Sequence, residues 1–426
     1  MIEIKPFQLK SGTYTVPGDK SLSHRALLLS ALFSKTMHIK NLNPGEDVLT
    51  TLDCLKKLEI SFEKRNNEVK IFGDLQKCKN IEERFDCRNS GTTLSLFLGL
   101  HHKKSYFIGD ESLSSRSFKP QCEILESLGS QFEFVKEKYY LPFYMKSPKN
   151  LLFKASIPSC YNLKSDSAQV KSMLLVLKEV YGASFSIRYK IKTRDHTERF
   201  LNFLNTQDNN SLIFKIPGDF SSAAFLITAC LLSHSSEIKI ENVGLNPTRT
   251  LFLALIKEMG GDVRFIVEQE EPEPWGSIYV KASKLKGVHV NKDWIPRMID
   301  EIPCLALLAL VAEGETVVRG AERLRNKESD RIKAICENFK KCGVHIEEYQ
   351  GGFRIKNFRK NTPPSQKQIR VKENTVLTGY EDHRIIMMLS LLGMLSQRSF
   401  FIDEGRFVKV SYPQYFEDIL GYDYNH

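Results

Sequence analysis

Apolar positions recur along this chain with a helical period in some stretches and a strand period in others, and one combination of the two repeats. An amphipathic helix ending near a glycine, then a short strand, is legible at TLDCLKKLEISFE, EILESLGSQFEF, LALIKEMGGDVRF and ICENFKKCGVHIEE. Leu58, Leu128, Met259 and Cys342 mark the helix ends, and the Gly after most of them fits a left-handed C-cap. Fainter versions stand at RFLNFLNTQ and YFEDIL. Six units in 426 residues make a period of about 70 residues, which reads as an α/β building block rather than a solenoid repeat.

A second repeat is sharper. Val16-Pro17-Gly18-Asp19-Lys20-Ser21 leads into RALLLSALF, and Ile216-Pro217-Gly218-Asp219-Phe220-Ser221 leads into AAFLITACLL. Both predict strand, turn, Ser-rich cap and buried helix. Two copies this far apart predict two similar domains, one of residues 20–217 and one of residues 1–19 with 218–426. Strands and helices alternate throughout, so the fold class is α/β (α+β). The acidic, Pro-bearing stretch Glu268–Pro274 and the stretch Lys360–Gln368 are expected to be surface loops.

Composition narrows the function classes. The longest apolar runs, Ala223–Leu232 and Cys304–Ala312, fall well short of the ~20 residues a membrane span needs, and are predicted to be buried helices. The start, MIEIKPFQLK, has no apolar stretch behind a basic head, so no secretory signal is expected. Cys54, Cys78, Cys87, Cys122, Cys160, Cys230, Cys304, Cys336 and Cys342 are scattered, odd in number and without a CxxC pair. That pattern supports neither a disulfide framework nor a zinc site, and predicts buried free thiols in a cytoplasmic protein. The formal charge of +10 carries no run of Lys and Arg interleaved with aromatics. Nucleic acid is therefore not the expected partner, nor is a membrane.

The basic residues that stand out sit singly at predicted helix starts, beside Gly, Ser, Asn and Asp. Gly18-Asp19-Lys20-Ser21-Leu22-Ser23-His24-Arg25 lacks the upstream glycine of a phosphate-binding P-loop, so ATP is not predicted there. A helix N-terminus nonetheless offers unpaired N–H groups to an anion, while Lys20 adds a point charge and Arg25 a fork. Asn89-Ser90-Gly91-Thr92-Thr93, Asp110 to Arg116, Ser165 to Lys171, Arg194 to Arg199, Asn326 to Arg331 and Glu381 to Arg384 repeat the arrangement. Singly, each reads equally well as a solvated charged helix start. Together they suit a cleft that draws in small anions. His196 and His383 lie at no metal-ligand spacing, so no metal is assigned.

In order along the chain, PGDKSLSHRALLLSAL, DCRNSGTTLSL, GDESLSSR, SAQVKSMLL, RDHTERFL, PGDFSSAAF, VGLNPTR, IDEIP, NKESDRI, EDHRI and VKVSYPQYF resemble the signature segments of the 5-enolpyruvylshikimate-3-phosphate synthase family, in its bacterial form. The resemblance spans nearly the whole chain. It implies two domains, each of three βαβαββ units, with the active site in the cleft between them and domain closure on binding. It implies transfer of the enolpyruvyl group of phosphoenolpyruvate to the 5-hydroxyl of shikimate 3-phosphate, with release of phosphate and no metal or organic cofactor. A monomer is expected. By motif match, Lys20, Ser21 and Arg25 contact the substrates. Gly91 and Arg116 hold phosphoenolpyruvate, with Asn89 and Asp47 nearby, and Ser167, Gln169 and Arg194 hold shikimate 3-phosphate. Asp300 and Lys327 face the shikimate moiety, while Arg331, Arg384 and Lys409 clamp phosphoenolpyruvate.

The reaction needs a proton added to the methylene of phosphoenolpyruvate and another removed from the attacking hydroxyl. Glu328 is the candidate acid and Asp300 the candidate base, with Lys20 as a second proton carrier. Three positions depart from the family pattern. Ser95 stands where an Arg is usual, Arg88 where Gly is usual, and Ser117 where Pro is usual. An Arg at 88 is long enough to reach back over one turn and replace the charge missing at 95; the alternative is that it points to solvent. Two rival readings are the related transferase that acts on UDP-N-acetylglucosamine, and a catalytically weak relative that binds anions or RNA. The first usually has Lys-Asn where this chain has Lys20-Ser21, and a loop Cys that GDESLSSRSF lacks.

Overall fold

The helix ends read from the sequence are helix ends in space. The computed structural model describes residues 1–148, 160–163, 167–357, 369–372 and 374–421. In it the helices Glu46–Lys57, Lys119–Ser127, Leu251–Glu258 and Arg331–Lys341 are capped at Leu58, Leu128, Met259 and Cys342. The next residue in each case has positive φ: 56° at Glu59, 90° at Gly129, 86° at Gly260 and 74° at Gly343. A Cβ is crowded in that conformation, which is why Gly occupies three of the four places and only Glu59 adopts it with a side chain.

Each of these helices leads into an antiparallel hairpin, where only a single short strand was expected. The hairpins are Ser61–Arg65 with Glu68–Phe72, Gln131–Phe134 with Phe143–Lys146, Asp262–Gln269 with Trp275–Lys281, and Ile346–Tyr349 with Gly352–Asn357. The strand entering each helix then pairs antiparallel with the second hairpin strand; these entry strands are Thr36–Lys40, Ser105–Ile108, Glu237–Gly244 and Gly314–Val318. At three of them a strand from elsewhere adds in parallel on the far side: Ser211–Lys215, Arg84–Asp86 and Gly12–Tyr14. Where the repeat was faint, the helix His196–Thr206 leads to the strand Ser211–Lys215, and Tyr415–Leu420 ends at Gly421.

By its contacts the chain divides into two compact units, Gly18–Ile216 and Met1–Pro17 with Pro217–His426. Both are mixed α/β. The core of the first is built on the helix Lys20–Ala31, buried from Leu22 to Ala31. The core of the second is built on Phe220–Leu232 and Ile302–Val311, the two runs read as buried helices, each enclosed along its whole length. Helices apolar on every side have no face to give to water. Among the described residues no helix is long and apolar enough to cross a membrane. All nine cysteines are free thiols, eight of them buried.

The two Pro-Gly-Asp segments are built alike, but not with the Ser-rich caps expected. Asp19 caps its helix by accepting the Leu22 N–H at 2.7 Å. Asp219 accepts the N–H groups of Ser221 at 2.7 Å and Ser222 at 3.3 Å. A carboxylate two or three residues before these amides reaches them better than a hydroxyl inside the first turn, and its charge complements the helix dipole. The glycines are there for room: a Cβ at Gly18 would lie 1.9 Å from the Asn41 carbonyl oxygen, and one at Gly218 would lie 2.8 Å from Val16 Cγ2. The expected loop at Glu268–Pro274 is shorter, because Glu268 and Gln269 still belong to a strand; the stretch at 360–368 lies outside the described residues.

Asp219→Ala is expected to lower stability by about 1–2 kcal/mol, the usual cost of removing a carboxylate cap. The midpoint of urea denaturation should fall accordingly, and Ser222→Ala should move it less.

Candidate functional site

In the unit Gly18–Ile216, the helix Lys20–Ala31 brings the first group of candidate residues together. Lys20 Nζ lies 2.8 Å from Asp47 Oδ2, a carboxylate set in the first turn of Glu46–Lys57. Asn43 fixes this turn by donating to the Gly18 carbonyl at 2.8 Å and accepting the Gly45 N–H at 2.8 Å. Arg25 is buried and divides its fork: Nε donates to Thr197 Oγ1 at 2.8 Å, Nη1 to the Ser21 carbonyl at 2.8 Å and Nη2 to Ser172 Oγ at 2.9 Å. It therefore braces three segments. The Ser21 hydroxyl turns to Arg194, whose Nη1 donates to it at 3.2 Å.

The second group forms around Asn89-Ser90-Gly91. Arg116 Nη2 donates to Asn89 Oδ1 at 2.8 Å and to Ser112 Oγ at 3.0 Å, while Asn89 Nδ2 donates to Asp110 Oδ2 at 3.0 Å. A Cβ at Gly91 would stand 3.7 Å from Gln169 Nε2 and 3.8 Å from Arg116 Nη1, so both side chains face this bare backbone. Gln169 donates to Thr92 Oγ1 at 3.3 Å, and Ser167 caps its own helix, its hydroxyl 3.5 Å from the Val170 amide. A buried hydroxyl chain links the groups: His24 Nδ1 to Thr51 Oγ1 at 2.7 Å, Thr51 to Thr93 at 2.7 Å, Thr93 to Ser90 Oγ at 2.7 Å. Burial, then the charges of Lys20 and Arg25, push His24 well down from its ordinary value. It sits there as a neutral imidazole.

In the other unit the candidates converge on carboxylates. Arg331 is 1% exposed at the start of Arg331–Lys341. Its Nε donates to Asp382 Oδ2 at 2.7 Å, Nη2 to Glu328 Oε2 at 2.5 Å and to Asp382 Oδ1 at 3.2 Å, and Nη1 to Asp300 Oδ1 at 3.3 Å. Burial opposes that charge, but Asp382, Glu328 and Asp300 outweigh it and push the guanidinium up. Asp300 Oδ1 also meets Lys327 Nζ at 3.5 Å and Arg384 Nε at 3.7 Å. Burial lowers Lys327 to about 8, with Asp300 pulling the other way and Arg331 reinforcing the fall. Asp382 in addition caps His383–Leu391 through the Arg384 N–H at 2.9 Å. Lys409 stands apart, exposed in the turn Gly405–Val410, with no contact to this cluster among the described residues.

A profile of the EPSP synthase (3-phosphoshikimate 1-carboxyvinyltransferase) family matches residues 5–419. The chain belongs to the EPSP synthase family. A 3-phosphoshikimate 1-carboxyvinyltransferase of Carboxydothermus hydrogenoformans is 38% identical over 426 residues, covering 96% of each chain. One of Persephonella marina is 36% identical over 98% of each. The solved EPSP synthase of Acinetobacter baumannii superposes with a TM-score of 0.80 at 31% identity, covering 98% of this chain and 96% of that one. The enolpyruvyl transferase NikO of Streptomyces tendae shares the fold at TM-score 0.70 and 12% identity.

Three residues depart from the EPSP synthase pattern, and of the two readings of Arg88 the outward one holds. Arg88 does not turn back toward Gly91. Its Nη2 pairs with Asp53 Oδ2 at 2.8 Å, both side chains more than half exposed. Ser95 is fully buried and accepts a hydrogen bond from Gln121 Nε2 at 3.2 Å. Position 95 thus faces the core of its unit, while Arg88 faces outward. Ser117 is exposed, its hydroxyl 3.4 Å from the Lys119 amide. Several supporting residues were not assigned a part by the sequence reading: Thr93, Ser172, Thr197 and Asp382 stand inside motifs read for other residues, and Thr51 on a helix that reads simply as amphipathic. The signal for Thr51 is a polar residue on an otherwise apolar face.

Ser95→Arg is expected to destabilise the protein by about 2–4 kcal/mol rather than to tighten substrate binding, because it forces a charge and extra volume into a closed core. A fall in melting temperature without a lower KM for phosphoenolpyruvate is the outcome to look for.

Proposed function

We propose that this chain transfers the enolpyruvyl group of phosphoenolpyruvate to the 5-hydroxyl of shikimate 3-phosphate and releases phosphate. The observation that carries the reading is Asp300, a nearly buried carboxylate ringed by Lys327, Arg331 and Arg384, with Glu328 on the same guanidinium. Such a ring holds the Asp300 carboxylate in place and offers cations to a carboxylate or phosphate brought beside it. The family membership and the relatives' names support this reading over a UDP-N-acetylglucosamine transferase or an anion- or RNA-binding relative.

In this mechanism Glu328 delivers a proton to the methylene carbon of phosphoenolpyruvate, and C2 becomes electrophilic. The 5-hydroxyl gives its proton to Asp300 as its oxygen bonds to C2, forming a tetrahedral intermediate. Loss of a proton from the new methyl group and cleavage of the C2–oxygen bond to phosphate complete the transfer. Lys20, paired with Asp47, is the second candidate proton carrier. Gly91, Asn89 and Arg116 serve phosphoenolpyruvate, joined by Arg384 and Lys409, while Ser21, Arg25, Ser167, Gln169, Arg194 and Lys327 serve shikimate 3-phosphate. Arg331 already carries three carboxylates, so its part is to organise the others and to shift some of that bonding to an arriving anion. No metal is needed, since the cations do the charge stabilisation. A monomer in the cytoplasm belongs to the same reading, and nine free thiols support that compartment.

Purified protein with both substrates should release phosphate without added metal. Asp300→Asn and Glu328→Gln should each lower kcat by about 100-fold or more. Near-normal turnover in either variant would remove that residue from its role.

Activity should also report Lys327. Its ammonium loses its proton as pH rises through about 8. The kcat/KM for shikimate 3-phosphate is then expected to fall along that limb, and Lys327→Arg to shift the fall to higher pH. The stability effect has the opposite sense. Above about 8 and below the ordinary lysine value near 10.5, the unfolded chain holds a proton that the folded chain has released, so this group's contribution to stability rises with pH. A denaturation series over that window separates the two.

A further inference from the structure

On the surface of the unit Gly18–Ile216, an open groove of about 730 Å³ is lined by Asp53, Cys54, Lys56, Lys57, Arg84, Asp86, Arg88 and Ile108. Four cations stand there against two carboxylates. Asp53 is engaged by Arg88 at 2.8 Å, and Asp86 Oδ1 accepts the Arg88 N–H at 2.9 Å. Lys56 and Lys57 have no carboxylate partner among the described residues, and Arg84 only leans over the Tyr106 ring, 5.9 Å from its centroid. All four basic side chains are exposed. The lining therefore carries a net excess of two positive charges, and both of its carboxylates are engaged by Arg88. Arg88 adopts a φ of 44°, in the region that favours glycine.

We propose that this groove binds a small phosphorylated anion, at a site separate from the residues assigned to the reaction. Three unpartnered cations match a phosphate or diphosphate dianion, which takes Lys as point charges and Arg as a fork. The volume is that of a small-ligand pocket, roughly 300–1,000 Å³. The Arg88–Asp53 pair is the adjustable part: an incoming phosphate competes with Asp53 for the guanidinium. Arg88 precedes Asn89, whose amide oxygen holds Arg116. No residue of the groove is shared with the catalytic assignments.

Inorganic pyrophosphate, titrated calorimetrically into the whole protein at about 150 mM KCl to suppress unspecific attraction, tests the site. The triple variant Lys56→Ala, Lys57→Ala, Arg84→Ala should weaken one binding event about tenfold or more, while phosphate-release kinetics without pyrophosphate stay at the parent level. Asp53→Asn, which removes the competitor for Arg88, should tighten the same event severalfold, a gain that misfolding cannot mimic. Identical isotherms for the parent and both variants would overturn the proposal. So would single-stranded RNA that binds more tightly than pyrophosphate with the same residue dependence, since the groove would then be part of a nucleic-acid surface.

Discussion

The buried guanidinium of Arg331 constrains the unit around it more than any other group. An ion with 1% exposure has lost its water, at a cost of several kcal/mol, and remains charged only where oppositely charged groups surround it in good geometry. Asp382, Glu328 and Asp300 do so, and each is thereby fixed in position. Asp382 spends its remaining capacity on the cap of His383–Leu391, which places Arg384, and on the Ser329 hydroxyl at 3.0 Å. Asp300 holds Lys327 and Arg384 in turn. Candidate acid, candidate base and two candidate anion-binding cations are thus positioned by one requirement, that a buried positive charge be answered.

The other unit solves a related problem with neutral groups. Arg25 is nearly as deeply buried as Arg331, and Thr197, Ser172 and the Ser21 carbonyl accept from its three nitrogens. The neutral His24 and the hydroxyl chain through Thr51, Thr93 and Ser90 carry the same logic: hydrogen bonds fix the geometry of two helix starts without adding charge.

Both Pro-Gly-Asp segments show why a short motif is kept whole. Proline fixes the backbone before the turn, glycine leaves room where a carbonyl oxygen or a valine methyl approaches, and the aspartate caps the helix that forms the core. Exchange of any one of the three would disturb the entry of a helix that has no exposed face to absorb the shift.

Local rules were enough for much of this. Period and the glycines after Leu128, Met259 and Cys342 depend on neighbours within a few residues, so helix ends and the buried runs could be read from the chain itself, whereas the capping side chains of the two Pro-Gly-Asp helices were misread as Ser and the left-handed Glu59 carried no signal. The hairpins after those helices were only half legible, because strands such as Ser61–Arg65 and Asp262–Gln269 are mostly exposed and lack a clean alternation. Candidate site residues were recognisable as cations beside helix starts, and by resemblance to a family. What no local pattern contained was the pairing across 27 to 53 residues: Lys20 with Asp47, Ser329 and Arg331 with Asp382, Asp300 with Lys327. Nor did it contain the direction of side chains at the unusual positions. Residue 88 stands just before the short helix Gly91–Phe97 and residue 95 within it, and only the packing of neighbouring elements turns Arg88 outward to Asp53 and Ser95 inward to Gln121. Charge was written in the sequence; which charges meet was decided by the fold, since Coulomb and hydrogen-bond energies depend on distances that the chain acquires only when it packs.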